Sequence, residues 1–144
     1  MKNIRFQLFT TLLVLILVAS SCKKEMPDKP IVTLTEVGHD NCRQAHPGHD
    51  LHLEADVRAD GITQRIDIEI HQENGGHFEI RQAFADSKYA GLRNLTFHEH
   101  IDIPADAPTG EYHLHFTVTD QHGQQTTAAC DIEMTNDNED EHEH

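Results

Sequence analysis

The sequence predicts an all-β fold, an antiparallel Ig-like β-sandwich of about seven strands. Three observations point there. Short segments alternate apolar and polar residues with the period of a strand. Turn signals such as Asp60-Gly61, Asn74-Gly75-Gly76 and Asp120 to Gly123 separate them at short, regular intervals. No long stretch of the domain carries a helical period.

The chain has 144 residues, enough for one modest domain with extensions. Met1 to Arg5 is basic, Phe6 to Val18 is mostly apolar, and Ala19, Ser20 and Ser21 lead to Cys22. Basic, apolar and small in that order is the pattern of an export signal. The apolar run is shorter than a membrane span. Its end resembles the lipobox of bacterial lipoproteins, with Ala19 standing where such motifs usually carry Leu or another aliphatic residue. The expected organisation is a lipoprotein signal peptide over 1–21, a lipidated Cys22, a tether over 22–30, a domain over 31–134 and a disordered acidic, histidine-bearing tail over 135–144.

Within the domain, Ile31 to Val37 reads as the first strand and Gly38 to Gly48 as a loop. Asp50 to Val57 alternates, with Leu51, Leu53, Ala55 and Val57 on one side and His52, Glu54 and Asp56 on the other. Arg65 to His71 repeats this, with Ile66, Ile68 and Ile70 inward and Asp67, Glu69 and His71 outward. Phe78 to Phe84 is a less cleanly patterned strand, and Ala85 to Asn94 is a loop or a single helical turn. From Leu95, the apolar positions 95, 97, 101 and 103 share a side, which leaves His98, His100 and Asp102 on the other. Glu99 breaks the pattern; a bulge, a strand end or a buried acid with a partner would each account for it. Tyr112, Leu114, Phe116 and Val118 face inward, and His113, His115, Thr117 and Thr119 outward. The last strand covers about Thr126 to Met134, with Ala128, Cys130, Ile132 and Met134 inward.

The formal charge is −14. A surface of that sign repels nucleic acid and anionic lipid and favours cations. An export signal implies an oxidising compartment. With Cys22 lipidated, Cys42 and Cys130 are expected to form a disulfide; the alternative is two free thiols, or one thiol joining a metal site.

Gly110 to Gly123 looks like the penultimate strand and hairpin of many bacterial Ig-like modules, which begin on glycine-x-tyrosine and place an aspartate before a turn glycine. Four segments together carry a narrower resemblance: Asp50-Leu51-His52-Leu53-Glu54-Ala55, Ile68-Glu69-Ile70-His71, Phe97-His98-Glu99-His100-Ile101-Asp102-Ile103-Pro104 and Tyr112-His113-Leu114-His115. They resemble the uncharacterised domain-of-unknown-function family 4625. The resemblance covers most of the chain after Pro30. It implies an exported Ig-like lipoprotein and supplies no activity.

Thirteen histidines are far more than ordinary composition provides. His52, His71, His98, His100, His113 and His115 all fall on the outward phase of their strands, where chance would scatter them. Imidazoles two apart on a strand, with a third from a neighbour, suit a tetrahedral ion. Ligand type alone does not separate zinc from copper. In an Ig-like sandwich the strands around 95–103 and 111–119 usually belong to opposite sheets. Two candidate sites follow: His52, His98 and His100 with Glu54 or Asp102 nearby, and His71, His113 and His115 with Asp67 or Glu69. His49 stands where it could join the first. Protons compete with a metal for the same nitrogens, so a pH sensor is a related reading. The remaining histidines lie in loops or the tail and read as surface.

The expected function is a lipid-anchored protein of the bacterial cell envelope, at the outer membrane, that binds zinc or copper without catalysis. A structural or interaction module is the alternative. No serine elbow, phosphate loop, nucleophilic cysteine motif or His-Glu-x-x-His sequence supports an enzyme.

Overall fold

The computed structural model describes residues 25–136. The signal peptide, Cys22 and the tail beyond 136 lie outside the described residues. Eight strands follow in order: β1 (Ile31–Val37), β2 (Gln44–Ala45), β3 (Asp50–Arg58), β4 (Thr63–Gln72), β5 (Glu79–Phe84), β6 (Asn94–Asp102), β7 (Gly110–Asp120) and β8 (Gln125–Met134). They form a three-stranded sheet, β1-β3-β6, and a five-stranded sheet, β2-β8-β7-β4-β5. The sandwich is as the sequence predicts, with one more strand. The addition, β2, is two residues of the loop after β1 that pair parallel with the end of β8.

The alternation read from the sequence is the division between core and surface. Leu51, Leu53, Ala55 and Val57 of β3 are buried, as are Ile66, Ile68 and Ile70 of β4 and Tyr112, Leu114, Phe116 and Val118 of β7. Because β3 belongs to one sheet and β4 and β7 to the other, these rows meet face to face and exclude water. Phe97 of β6 packs edge-on against Phe116 of β7, ring centroids 5.0 Å apart, and joins the two sheets. On β8, Ile132 and Met134 are fully buried while Ala128 and Cys130 are only half-buried.

Two ends of the sandwich are fixed by polar contacts. At the β7–β8 hairpin, the buried Asp120 accepts the backbone N–H groups of His122 at 2.8 Å and Gln124 at 2.9 Å. Gln124 also donates its side-chain amide to the carbonyl of Pro27 at 2.6 Å. The described part of the tether is thus fastened to this hairpin. At the opposite end, the Tyr112 hydroxyl donates to the Pro108 carbonyl at 2.7 Å, the corner contact that recurs at this place in Ig-like sandwiches.

The expected disulfide is not formed: Cys42 and Cys130 are both free thiols. Cys42 is exposed at the end of the 3-10 turn His39–Asn41, with its Sγ 4.0 Å from the Gln44 carbonyl. Cys130 lies on β8 opposite Leu114 and packs its side chain against the core. One thiol faces its own turn and the other the interior, so the two do not meet.

Candidate metal centre

β3 and β6 lie antiparallel in unbroken register, with His52 opposite His100, Glu54 opposite His98 and Leu53 opposite Glu99. Directly paired residues on one face of a sheet stand within side-chain reach. The three imidazoles form a compact group. The His52 ring centroid lies 4.8 Å from that of His98 and 5.1 Å from that of His100, and the latter two are 5.9 Å apart. One ligand nitrogen from each lies within 4.8 Å of the others. Ligands at about 2.0–2.1 Å in a tetrahedron stand roughly 3.4 Å from one another. His98 and His100 are both largely exposed, so their rings have room to turn toward that spacing.

Carboxylates surround the rings. His98 Nδ1 lies 2.8 Å from Glu54, and His100 Nδ1 is in contact with Asp50. The hydrogen bond from His100 holds the Asp50 carboxyl below its ordinary range, against a smaller opposing effect of desolvation. A carboxylate at Nδ1 fixes the proton there and presents the Nε2 lone pair, the arrangement common around metal-bound imidazoles. His52 Nε2 lies 3.6 Å from Glu36 and 3.5 Å from Glu54.

Glu36 reaches this face because of a break in β1. Leu34 pairs with Ala55, yet Glu36 pairs with Glu54, so Thr35 is the extra residue of a β-bulge. Without it, Glu36 would share the inward phase of Leu34. With it, Glu36 joins the histidines and Val37 turns into the core, where it is buried. In the sequence of β1 the slip shows only as Val37, which falls out of phase with Val32 and Leu34.

Glu99 keeps the inward phase of β6 as a partly buried acid with partners. The Tyr89 hydroxyl donates to it at 2.7 Å and the Lys88 ammonium contacts the same oxygen. Desolvation pushes the Glu99 carboxyl up, and the hydrogen bonds from Lys88 and Tyr89 outweigh it, so the group titrates below its ordinary value. It belongs to the core side of the sheet and not to the metal face.

His49 faces His46, the rings edge to face at 6.4 Å between centroids, and its charge acts on Asp50, the carboxylate beside His100. Its backbone is fixed by the His46 carbonyl and by the N–H of Ile103. Asp102 lies opposite Asp50 at the end of the ladder. His71, His113 and His115 stand together on β4 and β7, in the other sheet, with His71 opposite His113 and Glu69 opposite His115. Thus each histidine pair has a third histidine from its own sheet, and the two sets occupy opposite outer faces.

A family model described as "Domain of unknown function (DUF4625)" matches residues 19–135. Among curated proteins no relative of the chain is found. Among solved structures, wild-type OgpA from Akkermansia muciniphila superposes with a TM-score of 0.55 at 11% identity, over 80% of this chain and 32% of that one. The sporulation control protein Spo0M of Bacillus subtilis gives 0.47 at 14% identity, covering 76% of this chain and 50% of that one. The soluble domain of PmoD from Methylocystis sp. ATCC 49242 (Rockwell) gives 0.41 at 14% identity, over 76% and 95%. The chain spans about a third of the length of OgpA, and that likeness shows a shared sandwich fold.

Proposed function

The chain belongs to the domain-of-unknown-function family 4625, whose description carries no activity, and we propose from its residues that it is an exported, lipid-anchored protein that holds a divalent transition metal, zinc or copper, on the outer face of its three-stranded sheet. The observation that carries this reading is the convergence of His52, His98 and His100, one nitrogen from each within 4.8 Å of the others. The carboxylates of Glu54 and Asp50 beside the Nδ1 atoms of His98 and His100 support it, because they orient the rings and raise their basicity. Exposure on a flat sheet face suits taking up and passing on an ion better than chemistry in an enclosed pocket, so the protein is read as a non-catalytic binder. Lipidation of Cys22 would place this site at the bacterial outer membrane.

The test is equilibrium binding of zinc and copper to the untagged full-length protein, beside the variant His52→Gln/His98→Gln/His100→Gln. We expect the variant to lose one equivalent of tightly held metal. Identical binding by the two proteins would remove this face as the site.

A further inference from the structure

The two sheets carry the same four-residue arrangement. In the first, His-Leu-Glu of β3 (52–54) faces His-Glu-His of β6 (98–100), pairing His52 with His100 and Glu54 with His98. In the second, Glu-Ile-His of β4 (69–71) faces His-Leu-His of β7 (113–115), pairing His71 with His113 and Glu69 with His115. Each is a square of three imidazoles and one glutamate, built by the same antiparallel register. Between them lies the filled core of the sandwich, about 10 Å from sheet to sheet, so one ion cannot serve both.

The second square also has its own orienting groups. His113 Nδ1 lies 2.7 Å from Asp131 of β8, and its Nε2 lies 3.8 Å from Glu73. His71 Nδ1 is enclosed and makes no hydrogen bond, although Glu69 Oε1 is 3.2 Å away. Arg81 holds the other oxygen of Glu69 at 3.3 Å. A buried ring nitrogen without a hydrogen bond is costly. A metal on Nε2 of His71 would fix the proton on Nδ1, beside a carboxylate already placed to receive it.

From this repeated geometry we infer that His71, His113 and His115 form a second site for a divalent transition metal, on the outer face of the five-stranded sheet. The protein then carries two ions back to back. This rests on the same imidazole chemistry as the function proposed above, but on different residues. The second site binds more weakly. The His71 and His115 rings are stacked nearly parallel, 12° between planes and 5.0 Å between centroids, and the His113 and His115 centroids are 6.5 Å apart. The rings must tilt out of this stack before their in-plane lone pairs converge. A rotamer cost of that kind corresponds to an affinity roughly tenfold lower.

Zinc chloride is the probe, titrated at neutral pH into the untagged full-length protein with bound metal measured after dialysis. Wild type is expected to bind two equivalents. His52→Gln/His98→Gln/His100→Gln should keep the weaker one, and His71→Gln/His113→Gln/His115→Gln the tighter one. The inference is overturned if the first variant, still folded, binds no zinc, or if the second binds as wild type does. If the second variant loses all zinc while the first loses none, the β4–β7 site stands and the β3–β6 reading falls. Zinc retained when all six are replaced would overturn both assignments. Should the second variant lose its fold by circular dichroism, His115→Gln alone carries the test through loss or retention of the weaker equivalent.

Discussion

Tyr89 donates a 2.7 Å hydrogen bond to Glu99, and through it an acid occupies the inward phase of a strand whose other inward residues are apolar. The same hydroxyl also contacts the backbone of His98, so the loop before β6 is fastened to the strand that bears two of the candidate ligands. Tyr89→Phe leaves the carboxylate with Lys88 alone in a partly dry setting. We expect a loss of about 1–2 kcal/mol in urea unfolding. Glu99→Leu removes the charge itself and is expected to cost less than Tyr89→Phe. The reverse order would show that the hydroxyl bond is not what accommodates the acid.

Burial pushes the Tyr112 phenol up from its ordinary value. Its hydroxyl donates to the Pro108 carbonyl, and donation requires the neutral form. A phenol whose pKa is higher folded than unfolded stabilises fully below the unfolded value, near 10. That contribution is lost as pH rises through the folded value. Unfolding midpoints should therefore fall on the alkaline side of about pH 10. In Tyr112→Phe the stability should start lower by about 1 kcal/mol and decline less steeply with alkali. Parallel curves for the two proteins would contradict this.

Gly61 lies against the buried Asp120. A methyl group there would collide with the Asp120 carboxylate and stand 3.0 Å from His122 Nδ1. The carboxylate cannot retreat without giving up the N–H groups of His122 and Gln124. Gly61→Ala should destabilise the domain by about 2 kcal/mol or more, read as a lowered melting temperature. Gly75→Ala is a useful contrast, since nothing lies within 4 Å of its added carbon and its positive φ of 81° costs only about 1 kcal/mol.

Two free thiols have distinguishable chemistry. Cys42 is exposed. Burial pushes the Cys130 thiol up, partly countered by Arg43, and reactivity follows the thiolate. Iodoacetamide should label Cys42 first in the folded protein and both at similar rates in denaturant. Failure of either cysteine to label in denaturant without reductant would establish the bridge that the structure lacks.

The core was legible because its signal is periodic. Leu51, Leu53 and Ala55 announce a half-buried strand by alternation alone, and so do Ile66, Ile68 and Ile70. The histidines were legible for the same reason, since phase sends His98 and His100 to one side and assignment to sheets separates them from His113 and His115. What escaped was local and irregular. The bulge at Thr35 that brings Glu36 to His52 shows only as a single apolar residue, Val37, out of phase with Val32 and Leu34. β2 is two residues whose only reason for pairing is the nearby end of β8. Cys42 and Cys130 could be paired only by counting, and counting contains no direction for a side chain.

The hydrogen bond from Gln124 to Pro27 gives the domain a near end and a far end. Ile31 enters β1 beside Arg58, the last residue of β3, and His52 lies back along that strand by about 20 Å. β4 likewise starts at this end with Thr63 and reaches His71 after roughly 25 Å. Both histidine squares therefore sit toward the far end. A surface that grips the chain by its N-terminal segment would hold the two squares clear of its own headgroups, on opposite flanks of a short upright post. Two further molecules could then approach such a post from either side without competing for space.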